Sequence, residues 1–217
     1  MKRLLTILLL SLIIQPAVSH AQRPDIDLGL KVGANFSKIN GKYWENGFKT
    51  NFMAGAFAAV NVKKIGGQLE FIFSQSTYTT GKDFWDTYKD FYNNPIVDSI
   101  KEGTFKVNYL SIPLLFNLRI FPKATIQFGP QYSGIVGTIQ DKDELVKDAR
   151  DLFKSGSIDG VVGVSLNLPL NLNIGARYVF GLSNINVQHD KINSTPQKID
   201  DAWKQRTVQI HIGYSIL

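Results

Sequence analysis

The sequence lacks cysteine, and this absence excludes both a disulfide framework and a lipid anchor attached through an N-terminal cysteine. Long hydrophobic runs are missing after the first twenty residues. The one apolar-rich run, residues 4–14, is too short to cross a membrane as a helix. Histidine is scarce, with three in the chain, and no histidine or carboxylate spacing matches a metal site. We therefore predict no metal, no cofactor and no membrane-spanning helix.

Residues 1–21 have the pattern of a secretory signal peptide. A basic start at Lys2 and Arg3 precedes the apolar run, and small residues around Ser19 and Ala21 resemble a cleavage site. We predict cleavage after Ala21, which leaves residues 22–217 as a single domain of ordinary size.

The charge of the expected mature chain is modest and dispersed. It has 22 basic against 18 acidic residues, spread over predicted strands and turns. No basic cluster is interleaved with aromatic residues in the way that a nucleic-acid interface requires. Nucleic acid is therefore not an expected partner.

The most informative stretch is residues 109–119, YLSIPLLFNLR. Alternate residues form an unbroken apolar row, and the intervening row is largely polar (Leu110, Ile112, Leu114, Phe116 and Leu118 in the first; Tyr109, Ser111, Pro113, Asn117 and Arg119 in the second). Period-two alternation of this kind predicts a strand with one apolar face. About 11 tilted residues cover the ~25 Å apolar band of an outer membrane.

The same alternation recurs along the chain and predicts eight strands. They span residues 26–37, 50–62, 68–74, 109–119, 124–137, 158–168, 172–182 and 207–216. The connections between them alternate long and short, which is typical of a transmembrane barrel with short periplasmic turns and longer outside loops. We predict an all-β fold, an eight-stranded antiparallel up-and-down transmembrane β-barrel with both termini periplasmic.

A soluble periplasmic ligand-binding barrel is the main alternative fold, because periodicity alone does not say which face points inward. The Gly, Ser, Asn and Gln of the polar row suit a narrow filled lumen, and several aromatic residues near strand ends suit membrane girdles. Pro113 cannot donate a ladder hydrogen bond, so we expect a bulge or an offset in the barrel wall at this residue, with a gating role as the alternative.

Five segments together resemble the PorT family of outer-membrane β-barrel domains from Gram-negative bacteria: LGLKVGANFS, YLSIPLLFNLR, FGPQYSG, ARYVFGLSNI and HIGYSIL. The resemblance spans essentially the whole mature chain. It implies an eight-stranded barrel in outer-membrane lipid, in a family whose members mostly have no assigned reaction and some of which are accessory to protein secretion. Barrels often end on an aromatic residue that the insertion machinery reads. This chain ends on Leu217, so we expect that machinery to rely on Tyr214 and neighbouring isoleucines.

Charged residues on the polar row are the first candidate site. In an eight-stranded barrel they would converge in a lumen about wide enough for side chains alone. Their mixed signs predict a paired, hydrogen-bonded plug, because buried charge is costly without a partner. A proton or ion path is the alternative reading of this group, which comprises Lys31, Glu70, Arg119, Asp159, Arg177 and His211.

A lipid-modifying barrel enzyme is the alternative function. It would need a histidine beside a nucleophile, and the mature chain offers only His189, next to Asp190, and His211. Neither stands in a nucleophile-elbow pattern, so we predict no catalytic residue and no enzyme activity. The carboxylates Asp141, Asp143 and Glu144 do not match a calcium loop.

The long loops are the second candidate site. Residues 82–92 and 143–154 place apolar side chains at helical spacing, which predicts short helices in outside loops two and three. They form either a rim that binds a protein partner or a packing layer on the barrel mouth. The rim candidates are Phe84, Trp85, Tyr88, Phe91 and Tyr92. The sequence thus predicts an outer-membrane barrel with a closed lumen and a structural, accessory or rim-binding role, with a protein partner at the outside loops or the periplasmic turns.

Overall fold

The computed structural model describes residues 24–81, 84, 103–137, 140–141, 153–186 and 202–216. This part of the chain forms eight long strands and one strand of two residues. Their bounds are β1 (Asp25–Asn40), β2 (Lys49–Val62), β3 (Ile65–Thr79), β4 (Thr104–Phe121), β5 (Ala124–Ile135), β6 (Gln140–Asp141), β7 (Gly156–Asn167), β8 (Leu172–Gly181) and β9 (Lys204–Ser215).

The eight long strands close into a barrel. Each is antiparallel to both neighbours, and the circuit is completed by pairing of β1 with β9 and of β3 with β4. The short strand β6 pairs only with Phe105 and Lys106 of β4. Closure leaves no unpaired edge among the eight long strands, as a lipid environment requires. The predicted fold class is confirmed.

The register fixes the stagger of the barrel. The paired residues, followed once around the wall from Ile26, return to β1 at Phe36, ten residues further along. Eight strands with this stagger tilt by roughly 40° and enclose an interior that side chains fill. The ring consists of Ile26, Val60, Gly67, Phe116, Phe128, Val162, Tyr178, Val208 and Phe36.

The apolar row faces outward on every long strand. Leu30, Leu114 and Ile212 each expose more than half of their surface, whereas Glu70 and Asp159 are completely buried. An outward apolar band matched to lipid and a polar interior are the arrangement of a membrane barrel. The soluble-barrel alternative is therefore wrong, because its apolar face would have to point inward.

The two ends of the barrel differ. Three short connections, residues 63–64, 122–123 and 168–171, lie at the end where β1 begins and β9 finishes. Tight reversals there place Lys63, Leu170 and Asn171 at positive φ. The four longer connections, between β1 and β2, β3 and β4, β5 and β7, and β8 and β9, lie at the opposite end.

The wall departs from the prediction in two places. Strand β3 continues beyond its predicted end to Thr79, and β4 begins before its predicted start, at Thr104. Both extensions arise because inward-facing aromatic residues at the long-connection end continue the alternation. Of the bulge or offset expected at Pro113, the bulge is not found. Pro113 pairs with Gln131 without a register shift, and the ladder from β4 to β3 skips the pairs around Pro113 instead of inserting a residue. The register shift in β4 lies between Arg119 and Phe121.

No helix in the described ranges is long and apolar enough to cross a membrane. The predicted signal peptide, residues 1–21, lies outside the described residues, as does nearly all of the two predicted loop helices.

The barrel lumen and the long-connection rim as candidate functional sites

Three charged side chains meet in the lumen. The Lys31 ammonium donates to Glu70 Oε1 at 2.6 Å, and Arg177 Nη1 donates to Glu70 Oε2 at 2.7 Å. All three side chains are buried to at least 97%. The Lys31 ammonium also lies 4.9 Å from the centre of the Phe57 ring, which adds a cation–π contact. One carboxylate thus bridges two cations inside the barrel.

Amide side chains extend this group in both directions. Arg177 Nε donates to Gln209, which donates in turn to Asn35 on the neighbouring strand at 3.0 Å. On the other side, Gln68 donates to Glu70 Oε1 and accepts from Gln127 at 3.1 Å. Each carboxylate oxygen therefore accepts charge-assisted bonds, which is the condition for keeping a charge in a low-dielectric interior.

His211 lies beside the charged group without joining it. The residue is 98% buried, and in the described part of the chain its Nδ1 has no hydrogen-bond partner. Two glycines flank His211, Gly175 against the ring and Gly33 against the base of the side chain. A Cβ at Gly175 would lie 2.6 Å from His211 Nε2, and a Cβ at Gly33 would lie 2.9 Å from His211 Cβ.

Asp159 lies in a separate polar group. Its Oδ2 accepts from the Ser133 hydroxyl at 2.7 Å, and Ser133 in turn accepts from Ser111 and Gln131. Ser157 makes longer contacts of 3.4 Å to both carboxylate oxygens. No ion pair to Asp159 is found in the described ranges, so hydroxyl donors carry its solvation.

Arg119 lies apart from both groups. It faces the short-turn end, is one-third exposed and contacts Asp25 at 3.6 Å. Around this pair the lumen widens into a polar cavity of about 60 Å³ that Asp27, Asn61 and Asn173 also line. The predicted lumen network is therefore distributed over three places, because stagger between strands sets the depth of each residue and sequence alone does not reveal stagger.

An aromatic cluster closes the long-connection end. Trp203 is one of its most deeply buried rings, with ring centroids 4.9 Å from Trp44, 5.9 Å from Phe84 and 5.8 Å from Phe153. Tilted and edge-to-face pairs at these distances stabilise a cluster beyond simple burial. Its buried members are Ile39, Trp44, Tyr78, Phe84, Phe105, Val107, Tyr109, Phe153, Ile185 and Trp203, called the aromatic cap below.

The model of the outer membrane protein beta-barrel domain family matches residues 20–187. The chain belongs to this family. With the closed wall and the outward apolar band, this membership makes it an integral outer-membrane β-barrel protein whose surroundings are lipid.

Solved structures similar to this outer-membrane barrel are small barrels with low sequence identity. Neisserial surface protein A is 12% identical, with a TM-score of 0.47 over 87% of this chain and 97% of that chain. OprG from Pseudomonas aeruginosa is 10% identical, with a TM-score of 0.46 over 88% and 95%. Ail, the attachment invasion locus protein of Yersinia pestis, is 14% identical, with a TM-score of 0.43 over 88% and 99%. No curated protein matches the sequence.

The rim candidates of the outer-membrane barrel divide at Phe84. Phe84 is completely buried in the aromatic cap, so its ring is not presented to a partner at the surface. Trp85, Tyr88, Phe91 and Tyr92 lie outside the described residues, as do His189 and Asp190.

Sequence reasoning missed the amides that hold the lumen charges. These amides all lie on the polar row: Asn35, Gln68, Gln127 and Gln209. The sequence feature that could have identified them is the repeated occurrence of amides in that row in place of smaller residues. It also missed Trp44 and Trp203, which belong to connections or strand ends where no period-two pattern marks them.

Proposed function

We propose that this protein is a non-conducting barrel that anchors a binding rim, built by its long connections, at the outer-membrane surface. The observation that carries the proposal is the contact between Arg177 on β8 and Glu70 on β3, which joins opposite walls across the lumen. Ions cannot pass this level without breaking buried charge-assisted bonds.

The aromatic cap adds a second obstruction. It fills the barrel at the long-connection end, whereas the polar cavity near Arg119 opens at the short-turn end. A path through the lumen would have to displace both the cap and the charged group. The lumen therefore serves as a packed interior, and the surface that remains for function is the rim.

The proposal includes an orientation. Long connections face the outside, and the short turns and both termini of the mature chain face the periplasm, after removal of residues 1–21 as a signal peptide. Because the chain has no cysteine, single introduced cysteines report orientation directly. A membrane-impermeant maleimide on intact cells should label Phe48→Cys, at the long-connection end, and not Leu170→Cys. Labelling of Leu170→Cys alone would reverse the orientation.

The proposal assigns no catalytic residue. An acyl-transferring or hydrolytic barrel needs a histidine next to a nucleophile at an accessible surface. His211 is buried between Gly33 and Gly175 and gives no support to that alternative.

The resemblance to the PorT family supports a finer proposal, an accessory role in protein secretion. Its most specific piece is YLSIPLLFNLR, which forms most of β4. The partners would then be the barrel-insertion machinery during assembly and a protein bound at the rim or at the periplasmic turns afterwards. Crosslinking in intact outer membranes identifies such a protein.

Two variants distinguish a partner-binding role of the rim residues from a role in packing on the barrel mouth. Changing Trp85, Tyr88, Phe91 and Tyr92 to serine should leave the barrel folded and reduce recovery of the crosslinked partner. Phe84→Ser, which removes a buried ring from the cap, should instead lower the stability of the barrel. Partner recovery unchanged in the four-residue variant would contradict a rim role for these residues.

A further inference from the structure

The outer face of β1 and β9 changes from apolar to cationic in a single step. Its cross-strand pairs are Leu30 with Tyr214, Val32 with Ile212, Ala34 with Ile210 and Phe36 with Val208. The next pair toward the long connections is Lys38 with Arg206, and the one after that is Asn40 with Lys204. Three cations therefore stand directly above an unbroken apolar ladder.

These side chains point away from the lumen. Ser37 and Ile39, on either side of Lys38, are buried inward, and so are Gln205 and Thr207 on either side of Arg206. Lys38, Lys204 and Arg206 are partly exposed. They lie on the outer face of the wall, where the apolar band ends toward the long connections. Nearer the short turns, the same face contacts lipid.

Lys38, Lys204 and Arg206, called the cationic patch below, have no acidic partner in the part of the chain that the structure describes. The four ion pairs found there involve other residues. Lys38 uses one of its three donors on Asn46 Oδ1 at 2.5 Å, and its ammonium lies 4.9 Å from the centre of the Phe48 ring. Like charges directly opposite across strands destabilise a sheet unless an anion lies between them.

An aromatic residue borders the patch. Phe180 pairs with Arg206 from β8, and Tyr178 stacks against Phe180 with ring centroids 6.1 Å apart. Aromatic rings at this level mark the interface between the hydrocarbon and the headgroups. A ligand that meets both the rings and the cations must combine an acyl region with an anionic headgroup.

We propose that Lys38, Lys204 and Arg206 bind the phosphate headgroup of an anionic lipid in the outer leaflet. The Arg206 guanidinium suits bidentate phosphate contact, and the two lysines supply point charges. Phe180 and the apolar ladder below contact the acyl chains. The assignment to the outer leaflet rests on the orientation proposed above, whereas phosphate recognition does not.

A binding titration tests the site. The full mature chain is placed in nanodiscs of zwitterionic lipid, which expose both ends of the barrel, and bound lipid is counted by native mass spectrometry. We expect bisphosphorylated lipid A to bind at least tenfold more tightly than its dephosphorylated form. Inorganic phosphate should not compete at equal concentration, because it lacks acyl chains. Equal binding of the two lipids would overturn phosphate recognition, and effective competition by phosphate would overturn the lipid assignment.

Variants locate the binding. Lys38→Gln with Arg206→Gln should weaken binding by roughly 30-fold, from about fivefold for each lost cation near a membrane surface. The matched control, Lys63→Gln with Lys64→Gln, removes the same charge at the short-turn end and should leave binding unchanged. Equal losses in both pairs, or none in the first, would contradict the site. If the first pair assembles poorly, Lys204→Gln alone should still cost about fivefold. If binding persists but maleimide labelling shows the opposite orientation, the phosphate site stands and only its assignment to the outer leaflet is contradicted.

Discussion

Arg177 and Glu70 lie 107 residues apart in sequence, on opposite walls of the barrel, and their side chains meet at 2.7 Å in its interior. Strand β8 is four strands from β3 in either direction around the wall. Lys31 holds the other oxygen of the same carboxylate. This geometry makes Glu70 the residue on which the closed lumen depends.

Removing the shared carboxylate should be strongly destabilising. Glu70→Ala leaves Lys31 and Arg177 buried without their anion, so we expect a loss of about 3–5 kcal/mol in the free energy of unfolding. Urea titration of the barrel in lipid vesicles measures this value. Asp25→Asn, which removes the exposed contact with Arg119, should cost at most about 1 kcal/mol. Comparable losses for the two variants would contradict the structural role of Glu70.

The fit of His211 between glycines predicts a coupled pair. Gly175→Val would place atoms against the His211 ring and should cost about 1–3 kcal/mol of stability. The same substitution in a His211→Ala background should cost at least 0.5 kcal/mol less, roughly the lower limit for side chains in contact. Gly67→Val is the control, because a Cβ there meets nothing within 4 Å. Additive effects of Gly175→Val and His211→Ala would show that the predicted contact is absent.

The lipid-facing row predicts opposite outcomes at Leu114. Leu114→Arg should cost roughly 2–4 kcal/mol near the membrane midplane and prevent assembly, while Leu114→Phe is tolerated. Heat-modifiable mobility on gels reports assembly. Leu170→Arg, in an exposed short turn, is the matched control and should assemble. Normal assembly of Leu114→Arg would mean that the apolar row does not face lipid.

The aromatic cap should be able to loosen while the strands of the barrel wall stay folded. Trp203→Ala removes a deeply buried ring that packs against Trp44, Phe84 and Phe153, and it should cost about 3–5 kcal/mol locally. We expect faster protease cleavage within residues 41–48, 153–155 and 182–186 of the long connections while the strands stay protected, as judged by fragment masses. Phe121→Ala, an exposed ring at the opposite end, should leave cleavage unchanged. Unchanged cleavage in Trp203→Ala would argue against a cap that depends on this residue.

The wall of the barrel could be predicted because alternation is a local property. The positions of residues such as Leu110, Leu114 and Phe116 in the alternation show that they share one face of the strand. The length of each connection shows at which end of the barrel it lies. Eight strands and one apolar row on each followed from this pattern. The outward direction of that row needed two further signs, the Gly, Ser, Asn and Gln of the polar row and the aromatic residues near strand ends.

The interior could not be predicted to the same extent. Contact between Arg177 and Glu70 depends on the stagger of ten residues, which is a property of the closed barrel. For the same reason Arg119 lies at the short-turn mouth and not beside Lys31. Trp44 and Trp203 join the cap through long-range packing that leaves no periodic trace in the sequence.

Single-channel recording in planar bilayers tests the central claim, a closed lumen, most directly. The purified barrel should show no steady conductance steps, because the Lys31–Glu70–Arg177 group and the aromatic cap both obstruct the interior. An unrelated water-filled porin incorporated in the same membranes serves as the positive control. Reproducible steps from the unmodified protein that disappear in Arg177→Met would contradict the account and make the lumen the functional site.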